Sequence, residues 1–202
     1  MPKVIGITGG IATGKSAVMS MLARLGAQVL SADDVARQAM AREGVCHDGV
    51  VERFGAGILN TDGEIDRAEL ARIIFSDSEA KRDLEEITHP HIIAQINERI
   101  RQFRDDYANA ASVLAVEIPL LMECGLQEIV DEVVVVAAEP EAQLSRLTMV
   151  RGLSDDQARR MMAAQMPVER KVLLADRVIW NNDSLESLES LVRAFWAEIY
   201  LP

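Results

Sequence analysis

The sequence predicts a three-layer α/β domain in which a parallel sheet lies between layers of helices. Three observations lead to this prediction. Short apolar runs alternate with segments of helical periodicity, several runs are continuous and rich in β-branched residues, and the first is followed by a glycine-rich loop. The 202 residues fit one domain with inserted lobes, because domains commonly hold about 100–200 residues.

The first strand and the first helix lie on either side of the glycine-rich loop. Residues 4–8 form the apolar run VIGIT, and residues 15–25 carry apolar side chains at helical spacing. A second strand is expected at residues 27–30. It ends in acidic and small residues that suit the N-cap of a helix through Ala41.

The middle of the chain, about residues 34–110, is predicted to be a helical insertion between strands. Residues 44–66 contain five glycines and little periodicity, whereas residues 67–105 are polar, charged and helical in pattern. A proline follows His89, so we expect the helix to be interrupted there and a new one to begin at Pro90.

Three more strands complete the predicted sheet. They are expected at residues 112–118, at residues 131–138 and near residues 177–180, and their β-branched character suits burial on both faces of a parallel sheet. A helical segment at residues 141–150 and a charged stretch at residues 151–175 lie between the last two strands. A closing helix is expected at residues 185–199.

The composition excludes several classes of protein. Lysine and arginine total 21 and aspartate and glutamate total 32, so the net charge of −11 disfavours a protein that binds nucleic acid or an anionic membrane through its general charge. No apolar run reaches the ~18 residues that a membrane span requires, and a cytoplasmic location is expected. The two cysteines support neither a disulfide framework nor a structural zinc site. The oligomeric state is left open.

The most specific motif is GGIATGKS, which places Gly9, Gly14, Lys15 and Ser16 in the phosphate-loop pattern G-x-x-x-x-G-K-[ST] between a strand and a helix. Backbone N–H groups of such a loop surround phosphate oxygens, the lysine reaches the outer phosphates and the hydroxyl binds Mg²⁺. The alternative is a chance glycine turn before a helix. The predicted nucleotide-binding residues are Gly9, Gly10, Ile11, Ala12, Thr13, Gly14, Lys15, Ser16 and Ala17.

Other residues favour phosphoryl transfer over the other uses of such a loop. The guanine-reading N-K-x-D element of GTPases and the G-x-G-x-x-G loop of dehydrogenases are both missing from the sequence. Asp33 follows the second strand, so in a parallel sheet it emerges at the edge that carries the phosphate loop, where it can deprotonate an acceptor hydroxyl. The alternative is that Asp33 or Asp34 caps the next helix.

Arg146 and Arg151 are candidates for catalytic arginines. They flank the start of a segment, about residues 148–170, that we interpret as a lid over ATP. Arginines that close over a transferring phosphoryl group neutralise its charge. The alternative is that both are ordinary solvated surface charges.

The sequence resembles the dephospho-CoA kinases over nearly its whole length. The matching stretches are TGGIATGKS, ADDVAR, FGAGILNTDGEIDRAEL, IFSDSEAKRDLEEITHPHI, IPLLMECG, QLSRLTMVRG and AQMPVERKVLLADRVIWNND. The resemblance implies a phosphate-loop kinase that transfers the γ-phosphate of ATP to the ribose 3′-hydroxyl of dephospho-CoA, which is the last step in making coenzyme A. It also implies that Mg²⁺ is required.

The resemblance further implies roles for individual residues. The segment Gly10–Ser16 matches the triphosphate site, and Asp33 matches the general base. Arg37 matches the arginine after the acidic motif and is expected to bind the acceptor, and the positions that match the family's acceptor lobe are Arg67, Leu70, Phe75, Leu84, His89 and Pro90. The loop near the acceptor is matched by Pro119, Leu120, Leu121 and Glu123. The lid, its flank and the adenine end are matched by Arg146, Arg151, Gln165, Asp176, Ile179 and Asn181.

Three of these positions keep an alternative interpretation. His89 contacts the acceptor or holds a hinge through local hydrogen bonds. Glu123 contacts the acceptor or caps its own loop. Asn181, with Asn182, contacts the base or forms an ordinary turn after a strand.

The sequence departs from the family pattern at three places. The usual D-A-D reads S-A-D at residues 31–33, which removes one carboxylate near the expected Mg²⁺. Ala12 replaces a loop glycine, so we expect an unstrained backbone with negative φ at that position. Met161 replaces an arginine of the lid, and Arg160 is displaced by one position.

Two other functions remain as alternatives. The first is a different phosphate-loop kinase that acts on a nucleoside or a small polyol. The second is a non-catalytic nucleotide sensor, which would bind ATP without acceptor-dependent release of ADP. The serine at position 31 is the feature that favours the sensor.

Overall fold

The computed structural model describes residues 2–106, 112–150 and 152–200. Its strands are β1 (Lys3–Thr8), β2 (Gln28–Ser31), β3 (Val113–Glu117), β4 (Glu132–Ala137) and β5 (Arg177–Trp180). Its α-helices are α1 (Lys15–Leu25), α2 (Ala32–Ala39), α3 (His47–Phe54), α4 (Arg67–Ser76), α5 (Ser78–Asp105), α6 (Pro140–Ser145), α7 (Asp155–Ala163), α8 (Val168–Leu173) and α9 (Leu185–Ile199).

The five strands form one sheet in the order β2-β3-β1-β4-β5, and every pairing is parallel. The predicted parallel α/β fold with flanking helices is therefore confirmed. Strand β1 lies in the centre, where Ile7 is opposite Glu117 of β3 and Thr8 is opposite Val135 of β4. The loop after β1 consequently leaves the sheet where the strand order reverses, which is the usual ligand site of such sheets.

One face of the sheet is covered by α1 and α9. Alternate residues of a strand point to the same face, and Ile5 and Ile7 of β1 share a buried cluster with Val134 and Val136 of β4. Helix α1 contributes Val18, Met19, Met21 and Leu22 to that cluster, and α9 contributes Leu188, Val192 and Phe195. The helical spacing of these residues explains why both segments form amphipathic helices.

The predicted boundaries are close to those of the structure. Strand β5 and helix α9 have the expected bounds, and β3 and β4 are each one residue shorter at both ends than expected. Helix α2 differs, because it begins at Ala32 and ends at Ala39. Asp33 and Asp34 therefore lie inside its first turn and not at its N-cap.

The chain divides into two compact units. The sheet unit comprises the described residues up to Ser31 and from Gln102 onward, and the helical unit spans Ala32–Arg101. The helical unit has a core of its own, formed by Ala39, Cys46, Val50, Ile58, Ile65 and Leu70. Both cysteines are free thiols.

The interruption predicted at His89–Pro90 is wrong. Helix α5 runs without a break from Ser78 to Asp105 and includes Pro90, and the chain turns instead at Asp77. The extended backbone of Asp77 ends α4, and its carboxylate accepts from the N–H groups of Glu79 and Ala80 at 2.8 and 3.2 Å, which starts α5. A proline removes one helical hydrogen bond, and in a helix this long the loss is tolerated.

His47 is a buried titratable group in the helical unit. Its Nδ1 lies 3.1 Å from Oδ1 of Asp48, and its Nε2 lies 3.1 Å from the carbonyl oxygen of Gly63. The hydrogen bond with Asp48 raises the pKa of His47, burial opposes this, and the Gly63 carbonyl and the charges of Asp48 and Glu64 raise it further. Only the protonated ring can donate to both oxygens at once.

The stability of the protein is therefore expected to depend on His47 and pH. A raised pKa in the folded state gives stabilisation that is complete below the unfolded value of about 6.5 and is lost as the pH rises through the folded value. We expect the free energy of unfolding, measured with urea, to decline as the pH rises above about 6.5. In His47→Gln this decline should be smaller, and an unchanged decline would contradict the assignment.

No helix in the described parts of the chain is both long enough and apolar enough to cross a membrane.

Candidate functional site

The phosphate loop connects β1 to α1, and two of its glycines have no room for a side chain. Gly9 has φ +148°, and a Cβ there would lie 2.1 Å from the carbonyl oxygen of Val136. Gly14 has φ +99°, and its Cβ would lie 2.2 Å from Nδ2 of Asn181. Strand β4 and the residue that follows β5 therefore determine the path of the loop as much as the loop's own sequence does.

Lys15, Ser16 and Thr13 carry the polar side chains of the loop. The Lys15 ammonium donates to the carbonyl oxygens of Gly9 and Gly10 at 3.1 and 2.8 Å, and the Thr13 hydroxyl donates to Gly10 at 3.0 Å. Ser16 is exposed in the first turn of α1, which carries no acidic side chain. The positive end of the helix dipole and the lysine thus favour an anion at this place.

The expectation of an unstrained backbone at Ala12 is wrong. Ala12 has φ +58°, in the left-handed region that glycine adopts readily. A Cβ in that region approaches the following carbonyl oxygen, which costs about 1–2 kcal/mol. The hydrogen bonds that close the loop on either side of Ala12 hold it there in spite of this cost.

Ala12→Gly is expected to stabilise the protein. Relief of the left-handed strain outweighs the extra freedom that glycine gives the unfolded chain, so the free energy of unfolding should rise by about 1 kcal/mol. The matched control is Ala23→Gly in helix α1, which should lower it by about 1 kcal/mol. Urea denaturation of both variants measures the difference, and destabilisation by both would contradict the argument.

Arg146 and Asn181 fix the outer side of the loop. The Asn181 side-chain amide donates to the carbonyl oxygen of Thr13 at 2.8 Å. The Arg146 guanidinium donates to the carbonyl oxygens of Ala12 and Asn181 at 3.2 and 2.7 Å. The structure therefore brings together two residues that the sequence analysis had assigned separately, to the lid and to the adenine end. Arg151, the other predicted lid arginine, lies outside the described residues.

A pocket of about 380 Å³ opens beside the loop. It is lined by Gly10 and Ile11 of the loop and by residues from α6 to α8, among them Gln143 and Gln165. The Gln143 amide donates to the carbonyl oxygen of Ala138 at 3.0 Å. The side-chain oxygen of Gln165 is buried and has no hydrogen-bond partner in the described part of the chain. The pocket thus continues the phosphate loop toward the predicted lid.

The loop after β3 is held to the end of β1 and to α8. The carbonyl oxygen of Pro119 accepts from the Thr8 hydroxyl at 3.1 Å and from the Lys171 ammonium at 3.0 Å. Leu121 is fully buried, and its approach to β1 requires Gly6, where a Cβ would lie 2.7 Å from Leu121 Cδ1. Leu120 is half-buried beside it.

Glu123 belongs to the same loop and is bound on both carboxylate oxygens. Oε1 lies 2.9 Å from the Lys171 ammonium and accepts from the N–H of Met166 at 3.1 Å, and Oε2 accepts from Lys171 at 3.1 Å. Neither Lys171 nor Thr8 was predicted as a site residue from the sequence. A lysine in a charged helical stretch and a threonine at a strand end have no local signal that separates them from solvated residues.

The remaining predicted residues, Asp33, Arg37 and His89, belong to the helical unit. Asp33 is exposed in the first turn of α2, and Asp34 pairs with Arg37 at 2.5 Å. The Arg67 guanidinium donates to the carbonyl oxygen of Arg37 at 3.2 Å. His89 is half-buried within α5. That Asp33 faces the phosphate loop stays a prediction.

The comparisons with known proteins agree in one family. A family model described as dephospho-CoA kinase matches residues 3–187. A curated dephospho-CoA kinase from Geobacter sulfurreducens is 44% identical over 195 residues, which are 96% of this chain and 98% of the relative. A solved dephospho-CoA kinase from Campylobacter jejuni is 28% identical with a TM-score of 0.67, covering 98% of this chain and 97% of its own.

A second solved structure is similar in fold alone. Shikimate kinase from Bacteroides thetaiotaomicron is 16% identical with a TM-score of 0.53, and the match covers 98% of this chain and 99% of that chain. The fold is therefore shared with a protein whose name gives a different acceptor, so the fold alone does not identify the acceptor.

Proposed function

We propose, because the chain belongs to the dephospho-CoA kinase family, that it transfers the γ-phosphoryl group of ATP to the ribose 3′-hydroxyl of dephospho-CoA. The observation that supports this most directly is the complete phosphate loop, with the Lys15 ammonium over its carbonyl oxygens, in a chain that matches the family from residue 3 to residue 187. The enzyme is an ATP-dependent phosphotransferase with an alcohol acceptor.

The residues of the sheet unit bind the nucleotide in this proposal. The N–H groups of the loop and of the first turn of α1 surround the β- and γ-phosphates, and Lys15 exchanges its loop carbonyl contacts for phosphate oxygens. Arg146 and Asn181 keep the loop in shape through their bonds to Ala12 and Thr13, and Arg146 adds positive charge near the transferring group. Arg151 is proposed to assist it.

The residues present fit a Mg²⁺ ion that is held largely by the nucleotide. The exposed Ser16 hydroxyl is the protein ligand that the motif supplies. The described residues contain no cluster of three or more His, Cys, Asp or Glu side chains that would hold a metal without the nucleotide. When bound with the nucleotide at Ser16, Mg²⁺ would supply positive charge that offsets the charge of the phosphate oxygens.

The acceptor is bound and activated by the other predicted residues. Asp33 accepts the proton of the 3′-hydroxyl as the O3′–phosphorus bond forms, while the bond between the γ-phosphorus and the bridging oxygen breaks and ADP leaves. The residues proposed to form the acceptor site are Arg37, His89, Pro119, Leu120, Leu121 and Glu123. Of these, the fully buried Leu121 and the Glu123 carboxylate, which Lys171 and Met166 bind, shape the loop around the acceptor. Closure of the lid, about residues 148–170, excludes water that would otherwise hydrolyse ATP.

The cellular setting follows from the same proposal. The substrates are small and anionic, and the net charge of −11 means that local positive groups rather than overall charge attract them. We therefore expect a cytoplasmic enzyme that acts without a nucleic acid or a membrane partner.

The test is acceptor-dependent release of ADP. The purified protein is given ATP and Mg²⁺ with dephospho-CoA, with adenosine or with no acceptor, and the product is weighed by mass spectrometry. Release with dephospho-CoA alone, and a product heavier by one phosphoryl group, is the expected result. Release with adenosine would favour a nucleoside kinase, and ATP binding without any transfer would favour the nucleotide sensor.

A further inference from the structure

Lys171 is unusual among the lysines of this protein. Its side chain is 0% exposed, and among the described residues no other lysine is buried. A buried ammonium is unfavourable unless charged and polar partners surround it. The partners here are the Glu123 carboxylate and the Pro119 carbonyl oxygen, both on the loop that follows β3.

The contacts of this ion pair extend to the phosphate loop. Pro119, which accepts from Lys171, also accepts from the hydroxyl of Thr8, and Thr8 is the residue directly before the phosphate loop. The loop after β3 is thereby connected by two donors to strand β1, which the phosphate loop follows, and to helix α8.

The contacts also extend to the wall of the pocket. Glu123 accepts from the backbone N–H of Met166, and Met166 lines the pocket together with its neighbour Gln165. The Gln165 side-chain oxygen is buried there without a partner. One carboxylate therefore fixes the backbone that carries this amide, while the lysine fixes the loop that follows β3.

We propose that Lys171 and Glu123 are positioning residues for the acceptor, and that the ion pair between the buried Lys171 ammonium and the partly exposed Glu123 carboxylate holds loop 119–125 and segment 164–168 in the arrangement that binds it. This inference rests on the proposed function for the identity of the acceptor. In this proposal Glu123 does not contact the acceptor; it acts through Lys171 and the backbone of Met166. The position of these segments matters for the reaction rate, because displacement of a substrate-binding group by about 1 Å can lower the rate about 10²-fold.

The test uses the double variant Lys171→Met/Glu123→Leu. Both residues are replaced together, because loss of Glu123 alone would leave the buried Lys171 ammonium without its carboxylate, whereas the two apolar replacements leave no unpaired charge. We expect the double variant to melt close to the wild-type temperature, to have a KM for dephospho-CoA raised at least about tenfold, and to keep the KM for ATP. Amide hydrogen exchange should be faster in 119–125 and 164–168 and unchanged in the phosphate loop.

The matched control is Lys3→Met. Lys3 also pairs with a glutamate, Glu132 at 2.5 Å, but at the amino-terminal ends of strands β1 and β4, opposite the strand ends that carry the phosphate loop. We expect this variant to lose some thermal stability and to keep both KM values and the exchange pattern of the two segments. An acceptor KM that rises equally in the control would overturn the proposal, because the effect would then follow from lost stability.

Two further outcomes decide the question. A double variant with wild-type KM values and wild-type exchange would mean that the pair only fills space, and the proposal would be wrong. If the double variant does not fold, the single variant Lys171→Met, which keeps the Glu123 contact to Met166, should show the same rise in acceptor KM. Failure of the wild-type protein to phosphorylate dephospho-CoA would reject the proposed function, while hydrogen exchange, which needs no substrate, would still test the pair.

Discussion

Lys15→Ala is expected to lower kcat by about 10²–10³-fold and to leave the fold intact. The ammonium lies over the loop carbonyl oxygens of Gly9 and Gly10, at the place where the positive end of α1 favours phosphate. In enzymes that stabilise a developing negative charge with fixed hydrogen-bond donors, removal of one such donor lowers kcat by about this factor. The measurement is the steady-state rate of ADP release with saturating ATP and dephospho-CoA.

The control for this variant is Lys81→Ala. Lys81 is an exposed lysine of α5 that pairs with Glu85 at 3.8 Å. A surface ion pair of this kind contributes little to the stability of the fold. We expect Lys81→Ala to retain wild-type activity. A kcat for Lys15→Ala within tenfold of wild type, in a variant with unchanged thermal stability, would show that the phosphate loop is not the site of transfer.

Asp33→Asn is expected to lower kcat by about 10²–10⁴-fold. An amide of the same shape cannot accept the proton of the acceptor hydroxyl, and general-base catalysis contributes about this much. Because Asp33 is exposed and lies inside the first turn of α2, the loss of its charge should change the helix by only a few tenths of a kcal/mol. The measurement is again the rate of acceptor-dependent ADP release.

Asp34→Asn provides a matched comparison on the same turn. Asp34 has the same side chain and the same helix-dipole environment, but its carboxylate pairs with Arg37. If Asp33 is the base, Asp34→Asn should lose less than about tenfold of the activity. Equal losses in the two variants would point to an effect on helix α2, and full activity of Asp33→Asn would reject Asp33 as the base.

Local patterns in the sequence were sufficient for most of the fold. Strands of a parallel sheet are continuous apolar runs, and helices that cover it have apolar residues at regular spacing, so the bounds of α1, β5 and α9 could be predicted. The phosphate loop was equally clear, because the requirement for glycine at positions 9 and 14 is written in the motif itself.

The two wrong predictions, the helix break at Pro90 and the negative φ of Ala12, came from local preferences that other contacts in the structure override. Pro90 suggested a helix break, but the side chain of Asp77 starts α5 twelve residues before it and the long helix tolerates one missing donor. Ala12 was expected at negative φ, because alanine avoids the left-handed region. Arg146 binds the carbonyl oxygen of Ala12 itself, and Asn181 and Lys15 bind those of Thr13 and Gly10, so contacts from outside the local sequence hold the strained conformation.

The sequence by itself determined the parallel sheet, the phosphate loop and the family, since each depends on residues close together in the chain or on an order of motifs along it. The tertiary structure decided which side chains hold the site. Arg146 reaches Ala12 across 134 positions, and Lys171 reaches Glu123 across 48. No local pattern records such contacts, because they exist only where parallel strands end at the same edge of the sheet and bring distant loops together.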